Sequence, residues 1–206
     1  MQPLVRPARP EDQEVPELLY LSAAPYYDAF AGGRERALTL LDELYPHGRH
    51  SASHDVCTVA EIDGRVVGAM ASFPAADGDR QARRLLRMCF ARMAPWRWPR
   101  TAGHLRAASL VSPLPPTDSF YVDALAVVPW ARRAGVARSL LECAEGLAVH
   151  AGCRSVALDT GVDNEGARRA YEACGFELRT ERLAPDDRTA RAVGGRGFVS
   201  YVKTLG

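Results

Sequence analysis

Apolar residues along the chain follow two different spacings, and the clearest change from one to the other lies near its middle. Tyr121 to Val128 form a near-continuous run of β-favouring residues, which is typical of a strand covered on both faces. Pro129 ends this run, because proline has no N–H to donate to a sheet. Apolar residues then recur at helical spacing: Val136, Leu140, Leu141, Ala144, Leu147 and Ala148. The pattern predicts a strand, a short loop and a helix that packs on the sheet.

Two further apolar segments predict a β-hairpin. They run from Val56 to Ile62 and from Arg65 to Phe73, and only Asp63 and Gly64 separate them. Asp-Gly is a favoured dipeptide in two-residue type I′ turns, because both turn positions need positive φ. We therefore expect two antiparallel strands joined at Asp63 and Gly64.

The remaining segments complete a mixed order of strands and helices. Before the hairpin, the pattern predicts a strand at 4–6, a helix around Val15, Leu18 and Leu19, and a second helix at 34–45. After the central helix, it predicts a strand at about 155–159, a helix at about 165–173 and antiparallel strands at 176–183 and 197–205. Residues 74–118 interrupt the pattern and contain two predicted helices, at about 80–94 and 100–110. We therefore expect one α/β domain over residues 1–206, with a helical insertion at about 74–118.

Composition narrows the class of protein. The five cysteines are an odd number without a C-x-x-C pair, which indicates neither a disulfide framework nor a zinc ribbon and fits a reducing cytoplasm. The N-terminal segment has no apolar core of a signal peptide, and no apolar run approaches the length of a membrane span. The formal net charge of +1 argues against a broad nucleic-acid surface. We expect a cytoplasmic protein that binds neither membrane nor nucleic acid.

The loop before the central helix suits a phosphate group. It reads RRAGVA, from Arg132 to Ala137, and leads directly into the helix. The first backbone N–H groups of a helix lack intrahelical partners, and the helix dipole adds positive potential there. This argument alone fits several classes of nucleotide-binding protein, a generic mononucleotide binder among them.

Two sequence motifs narrow the ligand. The first is Arg-x-x-Gly-x-Ala at Arg132 to Ala137, and the second is N-x-x-A-x-x-x-Y-x-x-x-G-F at Asn164 to Phe176. Together they resemble the acyl-CoA-binding signatures of the GNAT superfamily of N-acetyltransferases. The resemblance covers residues 4–73 and 119–205, and the insertion has no counterpart. Most members of the family have a second glycine where this chain has Ala137. Alanine fits this position if the residue already lies in the helix, because its φ is then negative.

The resemblance implies a mostly antiparallel sheet flanked by helices, acetyl-CoA as cosubstrate and no metal. It places the CoA pyrophosphate on the N–H groups of Arg133, Ala134, Gly135, Val136 and Ala137, with Arg132 and Arg133 available for charge pairing. It also places the pantetheine arm against the main chain at Leu125 and Val127. A backbone N–H in the segment Leu125, Ala126 and Val127 would then polarise the thioester carbonyl. Asn164 would cap the following helix, hydrogen-bond the pantetheine, or do both.

The same resemblance suggests two catalytic residues. Asp123 lies in an otherwise apolar strand, where it would act as a base or through a relay water; the alternative is a local ion pair or cap. Tyr171 would donate to the departing CoA sulfur; the alternative is an aromatic ring that packs its helix on the sheet. The predicted reaction is acetyl transfer by direct attack on a primary amine of a small molecule. A peptide or protein amine and a non-catalytic acyl-CoA sensor are the alternatives.

Two other features carry weaker hypotheses. His47, His50 and His54 lie in one loop-like stretch without metal-ligand spacing, so lining the acceptor side is an alternative to a metal site. Residues 80–100 contain seven arginines and two tryptophans among apolar residues that can pack. We expect this part of the insertion to form a lid over the acceptor site or a homodimer contact.

Overall fold

Within the residues described, 3 to 206 of this computed structural model, seven strands form one sheet in the spatial order β1-β2-β3-β4-β5-β7-β6. The strands are β1 (Leu4–Pro7), β2 (Cys57–Ile62), β3 (Arg65–Pro74), β4 (Ser119–Val127), β5 (Ser155–Gly161), β6 (Glu177–Leu183) and β7 (Gly197–Thr204). Neighbouring strands are antiparallel except β4 and β5, which are parallel. This mostly antiparallel sheet confirms the predicted fold class.

Eight helices of the described chain flank this sheet. They are α1 (Val15–Ser22), α2 (Ala24–Ala31), α3 (Arg34–Leu44), α4 (Ala75–Arg92), α5 (Trp98–Val111), α6 (Val136–His150), α7 (Glu165–Ala173) and α8 (Asp187–Val193). Short 3-10 turns lie at 54–56, 95–97 and 129–131. Helices α1 and α3 contribute to a hydrophobic core on one face of the sheet, and α6 and α7 to a second core on the other face. The central strands are therefore covered on both faces, as their apolar runs indicate.

The hairpin turn has the predicted geometry. Asp63 and Gly64 have φ angles of 52° and 74°, so both turn positions lie in the left-handed region that a type I′ turn needs. The turn joins β2 and β3 as antiparallel neighbours. The prediction from the Asp-Gly dipeptide is confirmed.

Helix α6 packs very closely on β3 at Gly68. A Cβ atom at this position would lie 2.8 Å from Cγ1 of Val136, 3.2 Å from the carbonyl oxygen of Ala126 and 3.3 Å from Cδ1 of Leu140. These distances leave no room for a side chain. Glycine therefore sets how near the first turn of α6 comes to the sheet.

The pairing between β3 and β4 is irregular at Asp123. Val122 and Ala124 face consecutive residues of β3, so Asp123 between them is the extra residue of a β-bulge. The parallel pairing of β4 with β5 ends at the same level, at Val122 and Leu158. Beyond this level the two strands separate, and a split opens in the middle of the sheet.

The insertion contains the two predicted helices, with slightly different bounds. Helix α4 begins at Ala75 and α5 ends at Val111, and a 3-10 turn separates them. Two other helices were not predicted: α2, and α8 in the Gly-rich connection between β6 and β7. Helix α5 packs against both of them, and the three form one small hydrophobic cluster with Phe198 of β7, whereas α4 packs on α3 and on β3 and β4.

Candidate functional site

The split between β4 and β5 opens into two adjoining cavities of about 410 and 730 Å³. The smaller one, here called the acidic cavity, is lined by residues 122–125, 159–164, 21–26 and 193–198. The larger one, here called the basic cleft, is lined mainly by residues 125–127, 131–138 and 164–174. They share lining residues and thus form one continuous space: Leu21, Ser22, Leu125, Asn164, Ala167 and Tyr171.

Unpaired backbone donors lie at the basic cleft. The six N–H groups from Arg133 to Arg138 make no hydrogen bond within residues 3–206, and the helical bonds of α6 begin at Ser139, whose N–H binds Gly135. Arg133 and Gly135 have φ angles of 65° and 81°, which turn the loop tightly into the helix. Such a run of free donors at a helix N-terminus favours an anion.

The charge of the basic cleft has one sign. Arg132, Arg133, Arg138 and Arg169 line it, and no Asp or Glu does so among the residues described. Arg138 donates to the carbonyl of Ala173 at 3.1 Å, which holds the guanidinium between α6 and α7. Sequence reasoning missed Arg138 and Arg169, although Arg138 directly follows the first motif and Arg169 lies within the second.

The predicted loop residues do not all line this cleft. Arg132, Arg133, Gly135, Val136 and Ala137 do, whereas Ala134 does not. Ala134 therefore has a backbone N–H without a partner among the described residues, but its side chain does not face the cleft.

The main chain of β4 is divided between β3 and the split. The N–H of Val128 donates to the carbonyl of Val67 at 2.9 Å. Because hydrogen-bonded positions alternate along an antiparallel pair, Ala126 also faces β3, while Leu125 and Val127 direct their main-chain groups toward the split. The carbonyl of Val127 accepts a hydrogen bond from Nε of Arg132 at 3.1 Å. The main-chain groups of Leu125 and Val127 are thus available to an extended ligand, whereas those of Ala126 are directed toward β3.

Two carboxylates lie at the base of the acidic cavity. Asp123 comes from the bulge of β4, and Asp159 from β5 just past the last residue that pairs with β4. The side chain of Asp123 is exposed to the cavity, but the cavity is deep, so many protein atoms lie around the carboxyl group. No side chain of residues 3–206 donates a hydrogen bond to Asp123 or forms an ion pair with it, so the predicted alternative of a local ion pair does not apply. Sequence reasoning missed Asp159; the available signal was its position at the carboxyl end of the strand predicted at about 155–159.

The environments of the two carboxylates differ. Burial, together with the nearby charge of Asp159, raises the pKa of Asp123 to about 7. Burial also raises the pKa of Asp159, but only to about 6, because the hydrogen bond that the Tyr121 hydroxyl donates to Asp159 Oδ1 opposes part of this rise. Two neighbouring carboxyl groups whose pKa values are both raised are typical of a site that handles protons.

Tyr171 lies where the two cavities meet. It is 6% exposed, and its ring packs on Phe176 and Tyr201 at centroid distances of 6.3 and 5.9 Å. Its hydroxyl has no hydrogen-bond partner among the described residues. Burial, with a smaller effect of the charge of Asp159, raises the pKa of Tyr171 well above its ordinary value. The residue therefore serves in packing, and it also presents a free hydroxyl donor between the cavities.

Asn164 caps α7 and lines both cavities. Its Oδ1 accepts from the N–H of Ala167 at 3.2 Å, and its Nδ2 donates to Oγ1 of Thr160 at 3.1 Å. The predicted capping role is confirmed. One amide hydrogen remains for a ligand.

The walls of the acidic cavity come from α2 and from the turn after α8. Gly194 of this turn has a φ of 75°, and a Cβ atom there would lie 2.5 Å from the backbone of Pro25. Nε of Arg196 donates to Asp163 Oδ1 at 2.8 Å, which ties the turn to the segment before α7. These contacts hold the walls of the cavity together.

The insertion does not form the predicted lid, because no residue between 75 and 118 lines either cavity. It supports the walls instead. His104 of α5 donates from Nδ1 to the carbonyl of Ala192 in α8 at 2.6 Å, and its ring lies 4.5 Å from that of Tyr26, which lines the acidic cavity. The lid hypothesis is therefore wrong, and α2 and the turn after α8 take that place.

The three histidines of residues 47–54 do not line the acceptor side either. His50 is buried in its own loop, where Nε2 donates to the carbonyl of Leu44 at 3.0 Å and Nδ1 accepts from the N–H of Ala52 at 3.2 Å. Nowhere in residues 3–206 do three or more His, Cys, Asp or Glu side chains form a group that could hold a metal ion. Among the described helices, none is both long and apolar enough to cross a membrane.

The chain is similar to known acetyltransferases. A model of the acetyltransferase (GNAT) family matches residues 16–176. The aminoglycoside N(6′)-acetyltransferases type 1 of Salmonella typhimurium and of Salmonella enteritidis are each 33% identical to the chain over 63 residues. That match covers 31% of this chain and 43% of each relative, so the chain spans less than half the length of these relatives.

Solved structures share the fold over nearly the whole chain. An N-acetyltransferase from Staphylococcus aureus Mu50 superposes with a TM-score of 0.71 at 15% identity, covering 97% of this chain and 100% of that one. A further acetyltransferase gives 0.70 at 20% identity, covering 98% and 100%. At these identities the likeness establishes the fold alone. Since the family model extends from α1 through the bulged strand and the RRAGVA loop to the end of the second motif, the chain belongs to the acetyltransferase (GNAT) family.

Proposed function

We propose that this chain transfers an acetyl group from acetyl-CoA to a primary amine of a small molecule. The observation that carries the proposal is the meeting of a basic cleft and an acidic cavity at one split in the sheet, with Tyr171 between them. A polyanionic coenzyme and a cationic amine need these opposite charges. Members of the family generally use acetyl-CoA as cosubstrate, and the names of the Salmonella relatives specify an amine acceptor.

The basic cleft fits the phosphates and the pantetheine arm. The free N–H groups of Arg133 to Ala137 would bind the pyrophosphate, and the guanidinium groups around the cleft would add charge pairing. The outward main-chain groups of Leu125 and Val127 would bind the pantetheine like an added strand. The N–H of one of these residues then lies near the thioester carbonyl and stabilises the negative charge that develops there.

The acceptor enters as an ammonium ion and must lose a proton before its nitrogen can attack. For an alkylamine of pKa about 10.4 this costs roughly 4.6 kcal/mol at pH 7. Asp123, with its raised pKa of about 7 and its open position in the cavity, accepts this proton directly or through water. The nitrogen then bonds to the carbonyl carbon, and the bond from this carbon to sulfur breaks. The nitrogen loses its second proton and the thiolate gains one, so the products are the amide, the CoA thiol and one released proton.

Tyr171 donates a hydrogen bond to the departing sulfur. A thiol has an ordinary pKa of about 8.5, below that of any tyrosine. Because burial raises the pKa of Tyr171 further, full proton transfer to the thiolate is unfavourable. The hydroxyl therefore stabilises the leaving group by hydrogen bonding. The proton that the thiolate finally gains is one that the amine nitrogen has lost.

The small volume of the acidic cavity favours a small acceptor. The approach of Gly194 to Pro25 and the hydrogen bond from Arg196 to Asp163 hold the walls of a space of about 410 Å³. An extended peptide would need an open groove across this face. We therefore place a peptide or protein amine second.

A panel of acceptors tests the proposal. The purified chain is incubated with acetyl-CoA and a set of alkylamines, aminoglycosides and lysine peptides, and thiol release and the acetylated product are measured. We expect turnover with small alkylamines and little with peptides. Turnover only with peptides would refute the small-molecule acceptor. Tight acetyl-CoA binding without transfer to any amine would instead support an acyl-CoA sensor.

A further inference from the structure

The acidic cavity carries more negative charge than one ammonium group neutralises. Three carboxylates line it, Asp123, Asp159 and Asp163, and Arg196 is the only cation among its described lining residues. Arg196 already pairs with Asp163 at the rim. Asp123 and Asp159 therefore lack a cationic partner of their own, and they lie side by side where β4 and β5 separate.

The two unpaired carboxylates are prepared for different tasks. Asp159 is held in place by the hydroxyl of Tyr121, whose ring packs edge-on against Phe73 at a centroid distance of 6.0 Å. A carboxylate that accepts a hydrogen bond is favoured in its ionised form. Asp123 has no such donor and thus takes up a proton more readily. One group is therefore suited to hold a cation throughout a reaction, and the other to exchange a proton.

We propose that Asp159, positioned by Tyr121, binds a second positive charge of the acceptor; this inference rests on the proposed function. The preferred acceptors are then compact molecules with two positive charges, such as short diamines and guanidinoalkylamines. The reacting ammonium lies at Asp123 near Tyr171, and the second cation lies at Asp159. Because the two carboxylates are close together, a short linker between the two cations suffices. The cavity volume of about 410 Å³ suits a molecule of this size.

This arrangement also explains how product leaves. Acetylation converts one ammonium group into a neutral amide, so the product carries a single charge. Asp123 then loses its cationic partner, while Asp159 keeps the one that it has. The product therefore binds less tightly than the substrate, which favours its release.

A matched pair of acceptors tests the proposal. The full chain is assayed at pH 8 with acetyl-CoA and either 1,4-diaminobutane or 1-aminobutane, which differ by one cationic group on the same carbon chain. We expect kcat/KM to be roughly 10- to 100-fold higher for the diamine, because its second ammonium group forms a charged hydrogen bond with Asp159. In Asp159→Asn this ratio falls to near one, while KM for acetyl-CoA stays unchanged. Glu177→Gln removes the same charge from the exposed strand β6 and keeps the ratio of the unmodified protein.

Tyr121→Phe keeps both carboxylates and covers the case in which Asp159→Asn fails to fold. It removes only the hydroxyl that holds Asp159, so we expect the ratio to fall severalfold. A ratio that survives in Asp159→Asn or in Tyr121→Phe would overturn the anchoring role. Equal use of both amines by the unmodified protein would do the same and leave the proposed acetyl transfer standing. No transfer to any amine would overturn both proposals.

Discussion

Asp123 lines the split because β4 has one more residue than β3 at this level. In a regular strand its side chain would alternate with apolar neighbours, and a carboxylate there would need a partner. The bulge bends the strand and redirects the side chain toward the cavity. The same irregularity ends the pairing with β5, so one inserted residue accounts for both the carboxylate and the space in front of it.

Asp123→Asn should remove one limb of the pH profile. If Asp123 is the base, kcat/KM of the unmodified protein rises with pH as this carboxyl loses its proton at a pKa of about 7. We expect Asp123→Asn to lower kcat by roughly 100- to 10,000-fold and to abolish this limb. Initial rates between pH 5.5 and 9, with saturating acetyl-CoA, provide the measurement. A profile that keeps its shape in the variant would exclude Asp123 as base or relay partner.

The same substitution should stabilise the protein at alkaline pH. The pKa of Asp123 is raised by folding, from 3.8 to about 7, so the folded state binds this proton more tightly than the unfolded chain. Stability is therefore lost as pH rises from about 4 through 7, when the surrounded carboxylate must ionise. We expect Asp123→Asn to unfold at a higher temperature than the unmodified protein at pH 8, with a difference that shrinks toward pH 4. A difference that grows toward low pH would contradict the raised pKa.

Tyr171→Phe separates leaving-group stabilisation from packing. The substitution keeps the ring between Phe176 and Tyr201 and removes only a hydroxyl without a partner, so stability should not fall. We expect kcat to drop roughly 10- to 100-fold, as for a lost hydrogen bond to a charged group, with KM for acetyl-CoA little changed. Tyr201→Phe is the matched control, because its hydroxyl contacts Arg168 and Glu172 outside both cavities. Unchanged kcat in Tyr171→Phe would limit Tyr171 to packing.

Residues that the family resemblance marks were easier to predict than residues whose partners are distant in sequence. Asp123 and Tyr171 were predicted as one site, and they do line one continuous space. Asp159 was missed because an aspartate at the end of a predicted strand is usually read only as a sign that the strand stops there. Its importance depends on the bulge in β4 and on the hydroxyl of Tyr121, 38 residues away, and no local pattern encodes that contact.

At the level of elements, Gly68 controls the position of the α6 N-terminus. Its missing side chain lets Val136 lie against β3, and the free N–H groups of the loop precede Val136 directly. We expect Gly68→Ala to push α6 outward, to destabilise the protein by about 1–3 kcal/mol and to raise KM for acetyl-CoA. Thermal unfolding and acetyl-CoA titration measure the two effects.

Gly146→Ala is the matched control in the same helix. Gly146 lies on the exposed face of α6, and a Cβ atom there meets nothing within 4 Å. This substitution should stabilise the helix by about 0.5–1 kcal/mol and leave acetyl-CoA binding unchanged. If Gly68→Ala behaved like Gly146→Ala, the close packing of α6 on β3 would not position the loop.

Elements with a regular apolar period were predicted well, and short ones with mixed composition were not. The strands, the hairpin and α6 and α7 follow from their spacing and turn residues. Helix α2, APYYDAFA, was missed although Ala24, Tyr27 and Ala31, which pack in the same core as α1, recur at helical spacing; the segment is only eight residues long and buries only Ala31 fully. Helix α8 has seven residues in a charged, Gly-rich segment, and Asp186 at its N-cap is its main local signal. Both helices depend on packing with α5, which is a tertiary effect.

At the scale of the whole molecule, the split divides the sheet into two parts that share few backbone contacts. Strands β1 to β4 lie on one side and β5 to β7 on the other, and the parallel pairing that joins them covers only Ser119–Val122 with Ser155–Leu158. The basic cleft takes residues from both sides, namely the β4 main chain and the α6 loop from one and α7 from the other. A ligand bound there adds contacts between the two parts.

Acetyl-CoA should therefore raise the unfolding temperature strongly and selectively. A ligand at about 100 times its dissociation constant stabilises the folded state by about 2.7 kcal/mol. In a chain of 206 residues this corresponds to a rise of roughly 5–10 °C. ATP and NAD carry a pyrophosphate but no pantetheine to pair with Leu125 and Val127, so we expect them to give less than half this shift. Thermal scans with equal ligand concentrations make the comparison, and a larger shift with ATP or NAD would identify the cleft as a nucleotide site without acyl-CoA specificity.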